Sequence, residues 1–301
     1  MITKKNVGSR ICLGTVQFGL DYGVSNSKGK LPIEESKETL RIADSSGILV
    51  YDTAPAYGNS EAVLGELLSS SPEIKIVTKT VKVEASNISL IDLQFVDDNF
   101  KESLRSLKKS TVYALLVHHA DDLLKPGGKA YYDLLCDWKA KGIVEKIGLS
   151  IYSWEQYLNI SGDMPVDIVQ LPLNVLDQKW VKRGYLKLMK SHGVEIHARS
   201  VFLQGLLLMD EASLHDYFRP IKKNLENWWG NLHESNITKL QGALQYVLGI
   251  DDVDYLVVGV SSPNELVEII EAATNQVDLP LYDELDLSDT EYVNPSLWRI
   301  E

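Results

Sequence analysis

The stretch 141–171, KGIVEKIGLSIYSWEQYLNISGDMPVDIVQL, decides the fold. Two short apolar runs, 146–150 (KIGLS) and 167–171 (DIVQL), flank a segment at 154–160 whose apolar residues recur at helical spacing. Strand, helix and strand in that order make a parallel unit, because parallel strands need a long crossover between them. Both runs are nearly continuous in apolar character, which suits strands covered on both faces. Gly142 falls where the preceding helix gives way to the first run, a position that favours a left-handed residue.

The same alternation extends in both directions. Further strand candidates lie at 10–14 (RICLG), 48–53 (ILVYDT), 75–80 (KIVTKT), 113–118 (YALLVH), 194–200 (VEIHARS) and 255–260 (YLVVGV). Helical patterns separate them at 33–45, 61–69, 97–108, 130–141, 181–192, 238–248 and 264–273, with Gly47 and Gly193 at two more helix-to-strand turns. Ser36 and Ser60 read equally as caps or as surface residues. Eight strand and helix pairs close a (β/α)8 TIM barrel of the α/β class, and no linker interrupts the chain, so a single domain over 1–301 is expected. An open dinucleotide fold would carry G-x-G-x-x-G after its first strand, whereas this chain continues Gly14-Thr15-Val16-Gln17-Phe18-Gly19. The longest irregular regions are a loop at about 202–236 and the tail 281–301, and long loops in compact domains are often functional.

Composition narrows the function. The 301 residues are 45% hydrophobic and carry 30 basic against 42 acidic side chains, a net charge of -12. With no basic block, neither nucleic acid nor an anionic membrane is an expected partner. Two cysteines, Cys12 and Cys136, are too few for a disulfide framework and lack metal or redox spacing. Without a signal-like or membrane-length apolar run, the expectation is a cytoplasmic protein starting at Met1 that acts on small molecules.

Active sites of such barrels form at the C-terminal ends of the strands. There the chain offers Asp52 and Tyr57 after the second strand, Lys79 at the end of the third and His118 at the end of the fourth. A phenol is a weak acid with an ordinary pKa of about 10, and a neighbouring ammonium stabilises phenolate and lowers that value. Asp52 holds the lysine, and His118 hydrogen-bonds and orients a carbonyl oxygen. Singly, each has a structural reading as a turn cap, packing residue, snorkelling lysine or core histidine. Jointly, on three successive strands, they point to chemistry. A metal is not expected: His118-His119 lacks helical ligand spacing, and His233-Glu234 lacks the second histidine of H-E-x-x-H.

At these residues the chain resembles a family. YDTAPAYGNSE (51–61), VTK (77–79), SLRSLKKSTVYALLVHHAD (103–121), KGIVEKIGLS (141–150) and DIVQLPLN (167–174) are similar, in order, to the aldo-keto reductases of bacterial type. The resemblance implies a (β/α)8 barrel that reduces aldehydes and ketones with NADPH or NADH, with a catalytic tetrad of Asp52, Tyr57, Lys79 and His118. It makes His119 a rim residue. It implies cofactor contacts from Gly14, Thr15 and Asp52, from Ser150 and Gln170 at the nicotinamide carboxamide, and from Ser200, Val201, Phe202 and Gly205. GVSSPNELVEI (259–269) matches the pyrophosphate and adenosine loop, bringing in Gly259, Ser261, Ser262, Asn264, Glu265 and Glu268, with an anion-receptive helix start near Pro263. Departures stand out. Arg199 replaces the aromatic residue beneath the nicotinamide, where a planar guanidinium also stacks. Ile151 replaces a donor Asn, Gly259 and Glu265 replace the two basic residues that grip the 2′-phosphate of NADPH, and Tyr113 replaces an Asp of the fourth strand.

The leading expectation is therefore an NAD(P)H-dependent carbonyl reductase for a small, sugar-like or other carbonyl substrate. Two other readings remain: a barrel lyase or isomerase using Lys79 as Schiff base or base, and a nucleotide-binding regulatory protein with little turnover. Tyr22, Phe202, Trp228, Trp229, Tyr282, Tyr292 and Trp298 suit either a stacking wall for substrate or local loop packing.

Overall fold

In a computed structural model, which describes residues 7–24, 26, 28–68, 73–279, 283–288 and 290–300, eight parallel strands close into a barrel in chain order. They are β1 (Ile11–Gly14), β2 (Val50–Asp52), β3 (Lys75–Lys79), β4 (Val112–Val117), β5 (Val144–Ser150), β6 (Ile168–Pro172), β7 (Glu195–Arg199) and β8 (Tyr255–Gly259). β8 returns to β1 with Gly14 opposite Gly259, and Gly14 also pairs with Asp52 on β2. The helices are α1 (Val16–Gly19), α2 (Ile33–Ser45), α3 (Ser60–Leu67), α4 (Leu90–Ser106), α5 (Gly128–Ala140), α6 (Trp154–Ser161), α7 (Lys179–Lys182), α8 (Tyr185–Ser191), α9 (Lys222–Glu234), α10 (Lys239–Leu248) and α11 (Pro263–Thr274). Among the described residues no helix is long and apolar enough to cross a membrane.

Strand alternation builds two cores. Ile11, Leu13, Tyr51, Ile76, Leu115, Val117, Ile147, Leu149, Val169, Leu171, Ile196 and Leu256 pack against the helices. The intervening positions, among them Cys12, Val50, Val77, Ala114, Leu116 and Ile168, fill the barrel. Continued by one step to the C-terminal ends, the inward series reaches Gly14, Asp52, Lys79, His118, Ser150, Gln170, Arg199 and Gly259. Seven of the eight line one cavity, and Lys79 lies directly behind its wall.

At the opposite end, Glu195 accepts hydrogen bonds from the Tyr113 hydroxyl (2.7 Å) and Lys146 (2.5 Å) and pairs with His197 Nε2 (2.8 Å). Burial pushes the Glu195 carboxyl up, but these partners outweigh it and hold the group at about 2. Tyr113 thus bridges an anion and a cation across the barrel floor.

All eight strand expectations match within two residues at each end, and Gly47, Gly142 and Gly193 take φ of 77°, 71° and 77°. Four local readings are corrected. α4 begins at Leu90 and not at 97, because Ser89 and Asp92 form a capping box that starts the helix although Leu90 and Ile91 are 84% and 82% exposed. The 181–192 helix divides into α7 and α8 at Gly184, whose φ of 72° ends the first. The region 202–236 is not irregular: it holds α9, which buries Leu225, Trp228 and Leu232 in a second hydrophobic cluster with Leu206, Leu207 and Phe218. Ser36 and Ser60 are fully buried, neither of them a helix N-cap nor a surface residue.

Candidate active site

The cavity at the strand ends has a volume of about 720 Å³, within the range of small-molecule sites. At its base Lys79 Nζ lies 2.6 Å from Asp52 Oδ1 and donates to the Thr53 carbonyl at 3.0 Å. Gln170 Nε2 donates to Asp52 Oδ2 at 2.8 Å, so both carboxylate oxygens are engaged. Burial acts against the charge on Lys79, but Asp52 and Tyr57 outweigh it and raise its pKa. The lysine stays an ammonium.

Tyr57 is brought over this pair by the loop after β2. Ser60 ties that loop down: its hydroxyl shares hydrogen bonds with Thr15 Oγ1 (2.7 Å) and Thr53 Oγ1 (3.0 Å) and donates to the Thr15 carbonyl (2.8 Å). Gly58 turns the chain with φ 60°, and Gly19 lets the loop close in, since a Cβ there would meet the Tyr57 carbonyl. Lys79 Nζ then lies 4.8 Å from the Tyr57 ring centroid, and His118 stands edge-on to that ring at 6.1 Å. The Tyr57 phenol is nevertheless raised above its ordinary value: burial acts most strongly, and the nearby ammonium offsets only part of it. The lowering expected from Lys79 alone is thus a partial effect. Burial, then Lys79, His119 and Arg199, push His118 down to about 3. It is a neutral imidazole at physiological pH.

Of the residues implied for the cofactor, Gly14, Thr15, Asp52, Ser150, Gln170, Arg199, Ser200, Val201, Phe202, Gly205, Gly259, Ser261, Glu265 and Glu268 line the cavity, and Ser262 and Asn264 do not. Ser262 is buried as the N-cap of α11, accepting from the Glu265 N–H, and Asn264 points to solvent on its first turn. Arg199 stacks on Tyr152, its Cζ 4.1 Å from the ring centroid. Ser200, at φ 59°, is held by a hydrogen bond that Asn174 Nδ2 donates to its carbonyl (3.0 Å), so strain is concentrated where the chain meets the cavity. Tyr22 and Phe202 reach the cavity, and Trp228, Trp229, Tyr292 and Trp298 instead pack in the second hydrophobic cluster; Tyr282 lies outside the described residues. Sequence reasoning passes over Gln17, Tyr152 and Gln204, which also line the cavity; all three follow the C-terminal end of a barrel strand, which is the one signal that could have found them.

A parallel eight-stranded barrel with Asp, Lys, Tyr and His gathered at one mouth defines a class of nicotinamide-using barrels. The chain belongs to the aldo/keto reductase family, whose profile matches residues 10–286. It is 26% identical over 208 residues to aldo-keto reductase YhdN of Bacillus subtilis, spanning 66% of this chain and 60% of that protein. It is 25% identical over 217 residues to an NADH-specific methylglyoxal reductase of Escherichia coli, spanning 66% and 65%. The matches thus cover less than two thirds of these relatives' own length. The holo form of an aldo-keto reductase from Bacillus halodurans shares the fold with a TM-score of 0.69 at 19% identity, covering 94% of this chain and 90% of that one.

Proposed function

We propose that the protein reduces an aldehyde or ketone, sugar-like carbonyls included, with NADH or NADPH. The observation that carries this reading is the Asp52, Lys79, Tyr57 and His118 cluster at a cavity whose lining runs from His118 to Ser261, just before α11, and Glu268 on it. The lining suits a dinucleotide: Ser150 and Gln170 offer polar groups near Tyr57, Arg199 a planar face, and the segment 200–205 and the start of α11 a wall for the remainder. Bound there, the nicotinamide supplies a hydride to the carbonyl carbon.

The chain's own residues do the rest. Neutral His118 donates to the carbonyl oxygen and fixes its approach. Tyr57 gives its phenolic proton to that oxygen as negative charge develops, and the Lys79 ammonium stabilises the phenolate left behind. Asp52 keeps Lys79 charged and in place, with Gln170 bracing Asp52.

Lys79 suits no Schiff-base role: it is 1% exposed, does not line the cavity and is held protonated, so a carbonyl cannot reach a free amine. Titration with NADH and NADPH, followed by a panel of aldehydes, ketones and sugars with reduced cofactor consumption as the readout, tests the proposal. Nucleotide binding with no consumption across the panel would leave the regulatory reading in its place.

A further inference from the structure

Arg199 ends β7 two residues beyond His197, the strand partner of Gln170, and its half-buried side chain lines the cavity. The guanidinium covers Tyr152, with Cζ 4.1 Å from the ring centroid. Its hydrogen bonds are long, 3.3 Å to the Ile151 carbonyl and 3.4 Å to Ser200 Oγ. Among the described residues no carboxylate pairs with it. A guanidinium stays charged at any pH of interest, so the cavity wall carries a cation with no counter-charge.

That charge reaches the reacting centre. Burial is the main influence on Tyr57 and His118, and the Arg199 charge acts on both. The other cation nearby is compensated, because Asp52 holds Lys79 at 2.6 Å. His118 is itself uncharged at physiological pH. The uncompensated positive charge beside the proton donor therefore belongs to Arg199.

A carbonyl oxygen that meets Tyr57 and His118 brings its carbon within about 3–3.5 Å of the hydride-donating ring carbon. The nicotinamide ring thus lies in the field of Arg199. In the transfer a C–H bond of the ring breaks and a C–H bond forms at the carbonyl carbon, while the Tyr57 proton passes to the oxygen. The ring, neutral before the step, is left with a positive charge. An unpaired guanidinium opposes that charge and leaves the neutral ring almost untouched.

We propose that Arg199 makes the site select the oxidation state of the nicotinamide, so that the cavity holds the reduced hydride donor and repels the spent, oxidised cofactor. The inference rests on the reading of the cavity as a dinucleotide site.

Dissociation constants of the purified wild type, Arg199→Gln, Arg199→Leu and Arg199→Lys test it, with NADH against NAD⁺ and NADPH against NADP⁺. The wild type should bind a reduced form about tenfold or more tightly than its oxidised form. Arg199→Gln keeps a planar polar group without the charge and should narrow that ratio about tenfold, chiefly by tightening the oxidised form. Arg199→Leu should do the same. Arg199→Lys keeps the charge without the planar face and should hold the ratio near that of the wild type. ADP-ribose, with or without a 2′-phosphate, lacks the ring and should bind all four proteins alike. An unchanged ratio in Arg199→Gln and Arg199→Leu, an equal narrowing in Arg199→Lys, or a matching change with ADP-ribose overturns the assignment. Failure of the wild type to bind any of these ligands overturns the dinucleotide reading itself.

Discussion

Lys79 and Asp52 form an ion pair at 2.6 Å whose side chains are 1% and 3% exposed. Water cannot compensate either charge if the other is removed. Breaking such a pair destabilises by about 3–5 kcal/mol, whereas exposed pairs contribute little. Asp52→Leu is therefore expected to lower the thermal midpoint clearly. Asp52→Asn combined with Lys79→Met should lose less than the sum of the two single variants, because the double variant leaves no unpaired charge. Additive losses in a denaturation cycle would mean that the two side chains are not coupled.

Tyr57→Phe should reduce turnover about 10²-fold or more while leaving dinucleotide affinity within about threefold, since a proton donor acts on the transition state. Lys79→Met should also be slow, and for a separable reason. Burial already raises the phenol, and Lys79 is the main opposing influence. Its removal raises the phenol further and makes it a weaker acid, so the alkaline limb of the pH profile should move upwards as the rate falls. A Tyr57→Phe enzyme of near wild-type rate excludes the phenol as donor.

Asp52, Lys79 and His118 were legible in the sequence because a strand has period two: once the register of each apolar run is set, its final inward residue follows. Ser150, Gln170 and Arg199 occupy the same inward positions, but only the family resemblance singles them out. The period does not reach Ser60, whose hydroxyl ties Thr15 to Thr53, or Gln17, whose amide meets a glycine on the far side of barrel closure. Those contacts join loops distant in sequence, and no local period encodes them. α9 carries helical spacing in Leu225, Trp228 and Leu232, but its N-cap is Ile221, with no side-chain cap bond to announce the start. The Tyr57 phenol shows a different limit: the partner was readable, and the extent of burial was not.

Both imidazoles line the cavity, but His118 stands edge-on to the Tyr57 ring at 6.1 Å, so His118→Ala is expected to reduce kcat/KM far more than His119→Ala. With His118 pushed down to about 3, the wild-type profile should have no acid limb from this residue between about pH 5 and 7. The sign for stability is the reverse of a salt-bridged histidine. The unfolded chain takes up the proton first as pH falls through the ordinary 6.5, so His118 disfavours folding increasingly from there towards 3. His118→Gln should therefore lose less stability than wild type between pH 7 and 5. Equal activity losses for the two alanine variants would contradict the register.

Tyr113→Phe removes a hydroxyl that donates to Glu195 and lies 2.7 Å from the Lys146 ammonium. Because Glu195 is held at about 2, below its ordinary value, the network contributes stability that is present above about pH 4.5 and is lost as pH falls towards 2. The variant should be about 1–3 kcal/mol less stable near neutrality. It should also lose less on acidification, since Glu195 is then less strongly held. Catalysis should be untouched, because Tyr113 lies at the barrel floor and does not line the cavity. Denaturation at neutral and acid pH, with kinetics on the same samples, checks both halves.

If the cavity holds the dinucleotide as proposed, Glu265 is the residue expected to set cofactor choice. A site that selects NADPH supplies Arg or Lys to the 2′-phosphate, and bidentate guanidinium contacts are the strongest form. Here the first turn of α11 carries a carboxylate that already accepts the Ser261 N–H at 2.7 Å. A 2′-phosphate therefore meets two obstacles at once: a like charge, and a backbone donor already in use. Neutral contacts from Ser261 offset this by only about 0.5–1.5 kcal/mol each. The preference for NADPH should be weak or reversed, and wild-type binding of NADPH a hundredfold tighter than NADH would refute this account of the loop. Glu265→Arg should move the ratio of dissociation constants towards NADPH, and more at low salt, where the attraction is less screened. Glu265→Gln separates the two obstacles. It removes the charge but keeps an oxygen able to accept from Ser261, so its shift should be smaller than that of Glu265→Arg and nearly independent of salt. If both variants leave the ratio where it was, the adenosine end of the dinucleotide does not lie at the start of α11.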